Sequence, residues 1–151
     1  MTGTKDNNLS IQHIFDKAAV GMLRQNKQAM SMDGDSCAYR GSDGCKCAVG
    51  FLIKDEHYSE SFEGPTVKRI GIVGHDSLIL KTKALAKALR SSHVNIDDHD
   101  TRRLLEDLQE IHDDGSPSHW HKDLKQLAEK MGLSTKSMDL VMEERRHAST
   151  S

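Results

Sequence analysis

Apolar residues recur at helical spacing in five stretches of this 151-residue chain, and that pattern sets the expected fold. Ile11, Ile14, Phe15, Ala18, Met22 and Leu23 share one face of a first helix, capped by Ser10 and running to about Met30, where a polar SMDGDS turn stops it. A second helix is expected from near Asp76 to near Ser92, burying Leu78, Leu85 and Leu89. The third runs from about Asp97 to Asp113 with Leu104, Leu108 and Ile111 inside. Its acidic start (Asp97, Asp98, Asp100) suits the positive end of the helix dipole, and Gly115 stops it. Ser116 as N-cap and Pro117 as first helical residue open a fourth helix, in which Trp120, Leu124, Leu127, Ala128 and Met131 share a face. Gly132 fits the left-handed position behind it. Ser134 then caps a last helix through about His147, burying Met138, Val141 and Met142.

Between the first two helices the pattern changes. Cys37-Ala38-Tyr39-Arg40 and Cys45-Lys46-Cys47-Ala48 flank Gly41-Ser42-Asp43-Gly44, which reads as two short strands about a tight turn. Pairing Arg40 with Cys45 would set Cys37 and Cys47 nearly opposite each other. The alternative is that Cys47 begins a short helix through Ile53. Residues 54–74 look irregular, with Gly64-Pro65 a strong turn signal. The expected fold is mainly α: a single compact domain of about five helices with one small β-hairpin at residues 37–48. Residues 1–9 read as a flexible N-terminus, 10–147 as the domain and 148–151 as a flexible tail.

Composition narrows the classes. Hydrophobic residues make up 36% and charged residues 29%, and only six aromatics are present, so the core must be largely aliphatic. Lys and Arg total 21 against 23 Asp and Glu, interspersed along most of the chain. A nucleic-acid partner is therefore not expected, because phosphate neutralisation needs a basic stripe. Lys81, Lys83, Lys87 and Arg90 fit a solvated helix face. No apolar run approaches the ~18 residues of a membrane span, and the first ten residues carry no apolar signal core. The expected location is the cytoplasm, where Cys37, Cys45 and Cys47 stay reduced as thiols or ligands.

The block Cys37-Ala38-Tyr39-Arg40-Gly41, Gly44, Cys47-Ala48-Val49-Gly50, Leu52-Ile53 and Asp55-Glu56-His57-Tyr58 is unusual as a whole. With FDKAAVGMLRQNKQAM before it and LQEIHDD and Trp120 after it, it resembles a group of small uncharacterised phage and prophage proteins. The resemblance covers roughly residues 11–131. It implies a phage context, hence the cytoplasm of a host cell, and it implies no activity. Cys45 is extra to the shared pattern, which leaves Cys37 and Cys47 as the better candidates for a common role.

Three chemistries follow from residue types. A structural zinc would draw on Cys37, Cys47, His57 and His112, although Cx7C and CxC spacings differ from paired CxxC knuckles. The competing reading is that these are small buried thiols packing the hairpin. A nucleophile at Cys47 would need a helix N-terminus to lower its pKa and a base, either His112 with Asp113 or His57 with Asp55. The dipeptides His75-Asp76, His99-Asp100 and His112-Asp113 raise a metal-dependent phosphohydrolase. Capping and dipole compensation explain such acids more simply. Tyr39 and Arg40 should face opposite ways on a strand, one packed and the other exposed or paired with an acid such as Asp55. With no convincing catalytic motif, the expected function is binding of a host protein or small ligand through Tyr39, Arg40, Asp55, His57 and Tyr58. A Cys/His or metal-dependent hydrolase using Cys47, His57 and His112 is the alternative.

Overall fold

Five helices form around the expected stripes, in a computed structural model that describes residues 8–29, 38–41, 44–60, 63 and 76–150. Cys37, Phe62, His75 and the Gly64-Pro65 turn lie outside the described residues, as does the side chain of Leu78. Helix α1 is Ile11–Gln25, and the Ser10 hydroxyl accepts the His13 N–H at its start. It stops short of the expected end near Met30 because Asn26 adopts a left-handed conformation (φ 52°) and returns its N–H to Met22 O. Asparagine tolerates that region better than other residues bearing a side chain, so it ends the helix where periodicity alone would continue it.

The expected hairpin at residues 37–48 is corrected: no strand forms among the described residues, and a single antiparallel bridge joins Arg40 to Lys46. Two hydrogen bonds frame it, Gly41 N–H to Cys45 O (2.7 Å) and Cys47 N–H to Tyr39 O (3.3 Å). Arg40 therefore stands opposite Lys46, not Cys45. A longer ladder is prevented on one side because the chain coils directly after Cys47, whose carbonyl accepts the Phe51 N–H as a 3₁₀ turn forms over Gly50–Leu52. That coil partly realises the short helix considered for this stretch. Side chains stand where further strands would lie. Glu63 takes the N–H groups of Tyr39 and Arg40, and Gln25 takes both the N–H and the carbonyl of Lys46. Gly50 sits so close to Tyr39 that a Cβ would overlap the Tyr39 carbonyl oxygen.

Helix α2 is Asp76–Ser91, α3 is His99–Asp114, α4 is Trp120–Met131 and α5 is Lys136–Thr150, which runs past the expected end near His147. The Asp98 carboxylate caps α3 by accepting both the N–H and the hydroxyl of Thr101, each at 2.9 Å. Ser116 makes no capping bond to the backbone. Its hydroxyl meets Ser118 and His119, and a 3₁₀ turn over Pro117–His119 leads into α4. Gly132 takes the left-handed position (φ 69°) after α4. Ser134 Oγ accepts the Lys136 N–H at the start of α5, and Gln12 of α1 clasps the Ser134 backbone through N–H and carbonyl.

Helix α1 is the central element, packed on α3, α4, α5 and the Gly50–Leu52 turn. Ile14, Phe15, Met22 and Leu23 meet a continuous core that includes Leu52, Leu85, Leu89, Leu104, Leu105 and Trp120. Concentrating the apolar side chains in one cluster is how a polar chain gains enough burial to order a domain of this length. Among the described residues no helix is long and apolar enough to cross a membrane.

Candidate functional site

The bridge and the two turns that follow it assemble a charged cluster at the surface. Tyr39 is buried while the neighbouring Arg40 side chain is 21% exposed, the opposite-facing arrangement of an extended dipeptide. Arg40 Nη2 donates to Ile53 O (3.2 Å) and to Asp55 Oδ1 (2.6 Å). Its guanidinium lies 4.5 Å from the centre of the Tyr58 ring, a cation–π contact. The Tyr58 hydroxyl donates to Glu63, the carboxylate that also holds the backbone of Tyr39 and Arg40. Lys46 Nζ reaches the same Asp55 oxygen at 3.6 Å. The hydrogen bond from Arg40, with the Lys46 charge behind it, lowers the Asp55 carboxyl pKa. Burial, then the hydrogen bond to Glu63, raises that of the Tyr58 phenol. Asp55 itself stands on a short 3₁₀ turn, Asp55–His57, with its side chain 82% exposed.

A second polar cluster lies inside. His112 is fully buried, stacked on Trp120 with ring centres 5.3 Å apart. Its Nε2 accepts the Ala29 N–H (3.2 Å), which requires a bare nitrogen, so Nδ1 carries the hydrogen and donates to Asp113 Oδ1 (2.8 Å). Gln109 donates to the same Asp113 oxygen and accepts the Val49 N–H. Cys47, also fully buried, accepts the Gly50 N–H on its sulfur at 3.3 Å. Burial is the main cause that pushes the Cys47 thiol up, against the lowering effect of the Gly50 hydrogen bond. Desolvation dominates here, and it disfavours the thiolate that nucleophilic chemistry needs. Gln28 from the segment after α1 donates to His112 O (2.8 Å) and Gly115 O (3.1 Å), closing the C-terminus of α3.

The candidate residues thus divide. Arg40, Asp55 and Tyr58 come together at the surface. Tyr39 joins them through its backbone, and its buried phenol is raised in pKa by desolvation. His57 is half-buried on the turn, and its ring makes no hydrogen bond among the described residues. Cys47, His112 and Asp113 lie in the interior cluster. Among the described residues, no three His, Cys, Asp or Glu side chains converge as metal donors; Cys37 is not one of those residues. Of the His-Asp dipeptides, His99 and Asp100 are exposed on the first turn of α3, whereas buried His112 pairs with half-buried Asp113. A separate open cleft between α3 and α4 is lined by Asp107, Glu110, Asp114 and Asp123, with Lys130 paired to Asp107.

Glu63, Gln25, Gln28 and Gln109 escaped the sequence reading. None belongs to an apolar stripe or a capping motif, and each acts on backbone made distant by sequence, so no local signal marks them. Comparison with protein-family models, curated proteins and solved structures gives no match to this chain.

Proposed function

We propose that this is a non-enzymatic, phage-encoded accessory protein that binds a host protein or a small ligand through the Tyr39–Tyr58 segment. The observation that carries this reading is the anchored Arg40. Its guanidinium is fixed from below by Tyr58, Ile53 O and a backbone tied to Glu63, yet its charge reaches the surface beside Lys46. A cation held in place before contact loses little entropy on binding, and arginine anchors of this kind dominate recognition surfaces. The resemblance of the central block to phage proteins supports a host component as partner. Hydrolysis by Cys47, His57 and His112 is less well supported. Burial keeps Cys47 a thiol, and both ring nitrogens of His112 are already engaged.

Affinity capture from bacterial lysate tests the proposal, with wild type compared against Arg40→Gln of matched circular dichroism. The expected result is a stoichiometric partner or ligand retained by wild type and lost from the variant. Equal recovery on both proteins would remove the Tyr39–Tyr58 segment from consideration.

A further inference from the structure

Arg40 and Lys46 hold a carboxylate that belongs to the chain itself, and the three groups are unequally secured. Arg40 is fixed by contacts other than Asp55: the Tyr58 ring, the Ile53 carbonyl and the Glu63-bound backbone. Lys46 is fixed through its backbone, clasped on N–H and carbonyl by Gln25. Asp55 has no comparable anchor, being a mostly exposed side chain on a single 3₁₀ turn. Exposed ion pairs contribute little because water screens them and two side chains must be ordered. Removing Asp55 from the pair therefore costs little, while the Arg40 guanidinium stays where it is and Lys46 remains beside it through its clasped backbone.

The guanidinium meets Asp55 through one nitrogen and one carboxylate oxygen only. Both of its hydrogen bonds leave from Nη2. Nε is buried without a hydrogen-bond partner among the described residues, so it is closed to a ligand arriving from solvent and the Nη groups are the ones that can meet it. A guanidinium offers five N–H donors in a fork that matches a carboxylate through two parallel bonds, and Asp55 uses one oxygen only. The site is thus built for a carboxylate and is incompletely satisfied by the one it has.

We propose that Asp55 is an internal stand-in, and that the site takes a carboxylate side chain from an acidic segment of a protein partner, which displaces Asp55 from Arg40 and Lys46. This rests on the binding function proposed above and names the chemistry of the ligand. A carboxylate fits better than a phosphate because Glu56, Glu60 and Glu63 stand close by in the chain, with Glu63 bonded to Tyr58 and Glu60 acting on its phenol. A doubly charged group meets more repulsion there than a singly charged one.

Fluorescence anisotropy with a labelled hexaglutamate peptide at physiological ionic strength tests this, with hexaglutamine and a phosphoserine peptide as comparison arms. Asp55→Asn is expected to bind hexaglutamate about two- to fivefold more tightly than wild type, the range set by the loss of one exposed competing pair. Lys46→Gln should weaken binding by a similar factor, and Arg40→Gln should abolish it. Glu56→Gln makes the same change in net charge without freeing Arg40 or Lys46, and should tighten binding less than Asp55→Asn does. Equal tightening by Glu56→Gln and Asp55→Asn would overturn the stand-in role, as would equal affinity for hexaglutamine. Tighter binding of the phosphoserine peptide would overturn the choice of carboxylate. If hexaglutamate fails to bind while a captured partner still depends on Arg40, the ligand class is wrong and the binding function stands. If neither depends on Arg40, both fall.

Discussion

Gly50 shows how little space one position can have. The chain turns there against the Tyr39 carbonyl, and any Cβ would overlap that oxygen, which is backbone and cannot rotate away. Gly50→Ala must therefore separate the Gly50–Leu52 turn from the bridge, and overpacking of this kind costs about 1–3 kcal/mol. Urea unfolding should register the loss as a lower midpoint at unchanged slope. An unchanged midpoint would mean that the turn moves freely away from Tyr39. Cys47 is governed by the same crowding. Its sulfur is enclosed between the bridge and that turn, which is why a residue that looked reactive in the sequence packs as a small apolar side chain with one weak hydrogen bond.

At the scale of elements, glutamines do the work of missing backbone. Gln12 clasps the start of α5, Gln25 clasps Lys46, Gln28 closes α3, and Gln109 ties α3 to Val49. An amide carries a donor and an acceptor in the geometry of a peptide group, so it substitutes for a neighbouring strand or helical turn. Gln28→Ala would leave the carbonyls of His112 in α3 and of Gly115 just after it without that donor, at a cost of about 1–2 kcal/mol. Hydrogen exchange should show faster opening of the last turn of α3, with α1 amides little changed. Uniform acceleration across both helices would indicate a global effect instead. These clamps also explain what could be read from sequence. The helices were legible because apolar spacing is local. Alternation along an extended dipeptide set Tyr39 and Arg40 on opposite sides, with Asp55 only one acid that could meet the outward residue. The end of α1 at Asn26 and the collapse of the hairpin to one bridge were not legible. One depends on a single left-handed residue, the other on side chains that cap an edge from far along the chain.

Across the whole molecule, acid acts on two carboxylates, one that joins the Asp55–His57 turn to Arg40 and one that caps α3. Asp55 is lowered in pKa chiefly by its hydrogen bond from Arg40, and Asp98 chiefly by the Thr101 N–H that it caps. A folded-state pKa below the unfolded value of about 3.9 means that the stabilisation is complete above that pH. It is lost as pH falls through the lowered values, because the unfolded chain takes up the proton first. The double variant Asp55→Asn, Asp98→Asn should therefore flatten the acid limb of the melting-temperature profile below about pH 4. An unaltered limb would assign acid sensitivity to other groups. The buried ring of His112 has a different consequence for the whole fold. It joins the chain after α1 to the end of α3 and the start of α4, and it does so with its hydrogen on Nδ1. With the ring buried and its Nδ1 hydrogen bonded to Asp113, that imidazole proton is expected to exchange slowly and to give a separate downfield line in a proton spectrum. Such a line would serve as a magnetic reporter, expected only while α1, α3 and α4 are docked.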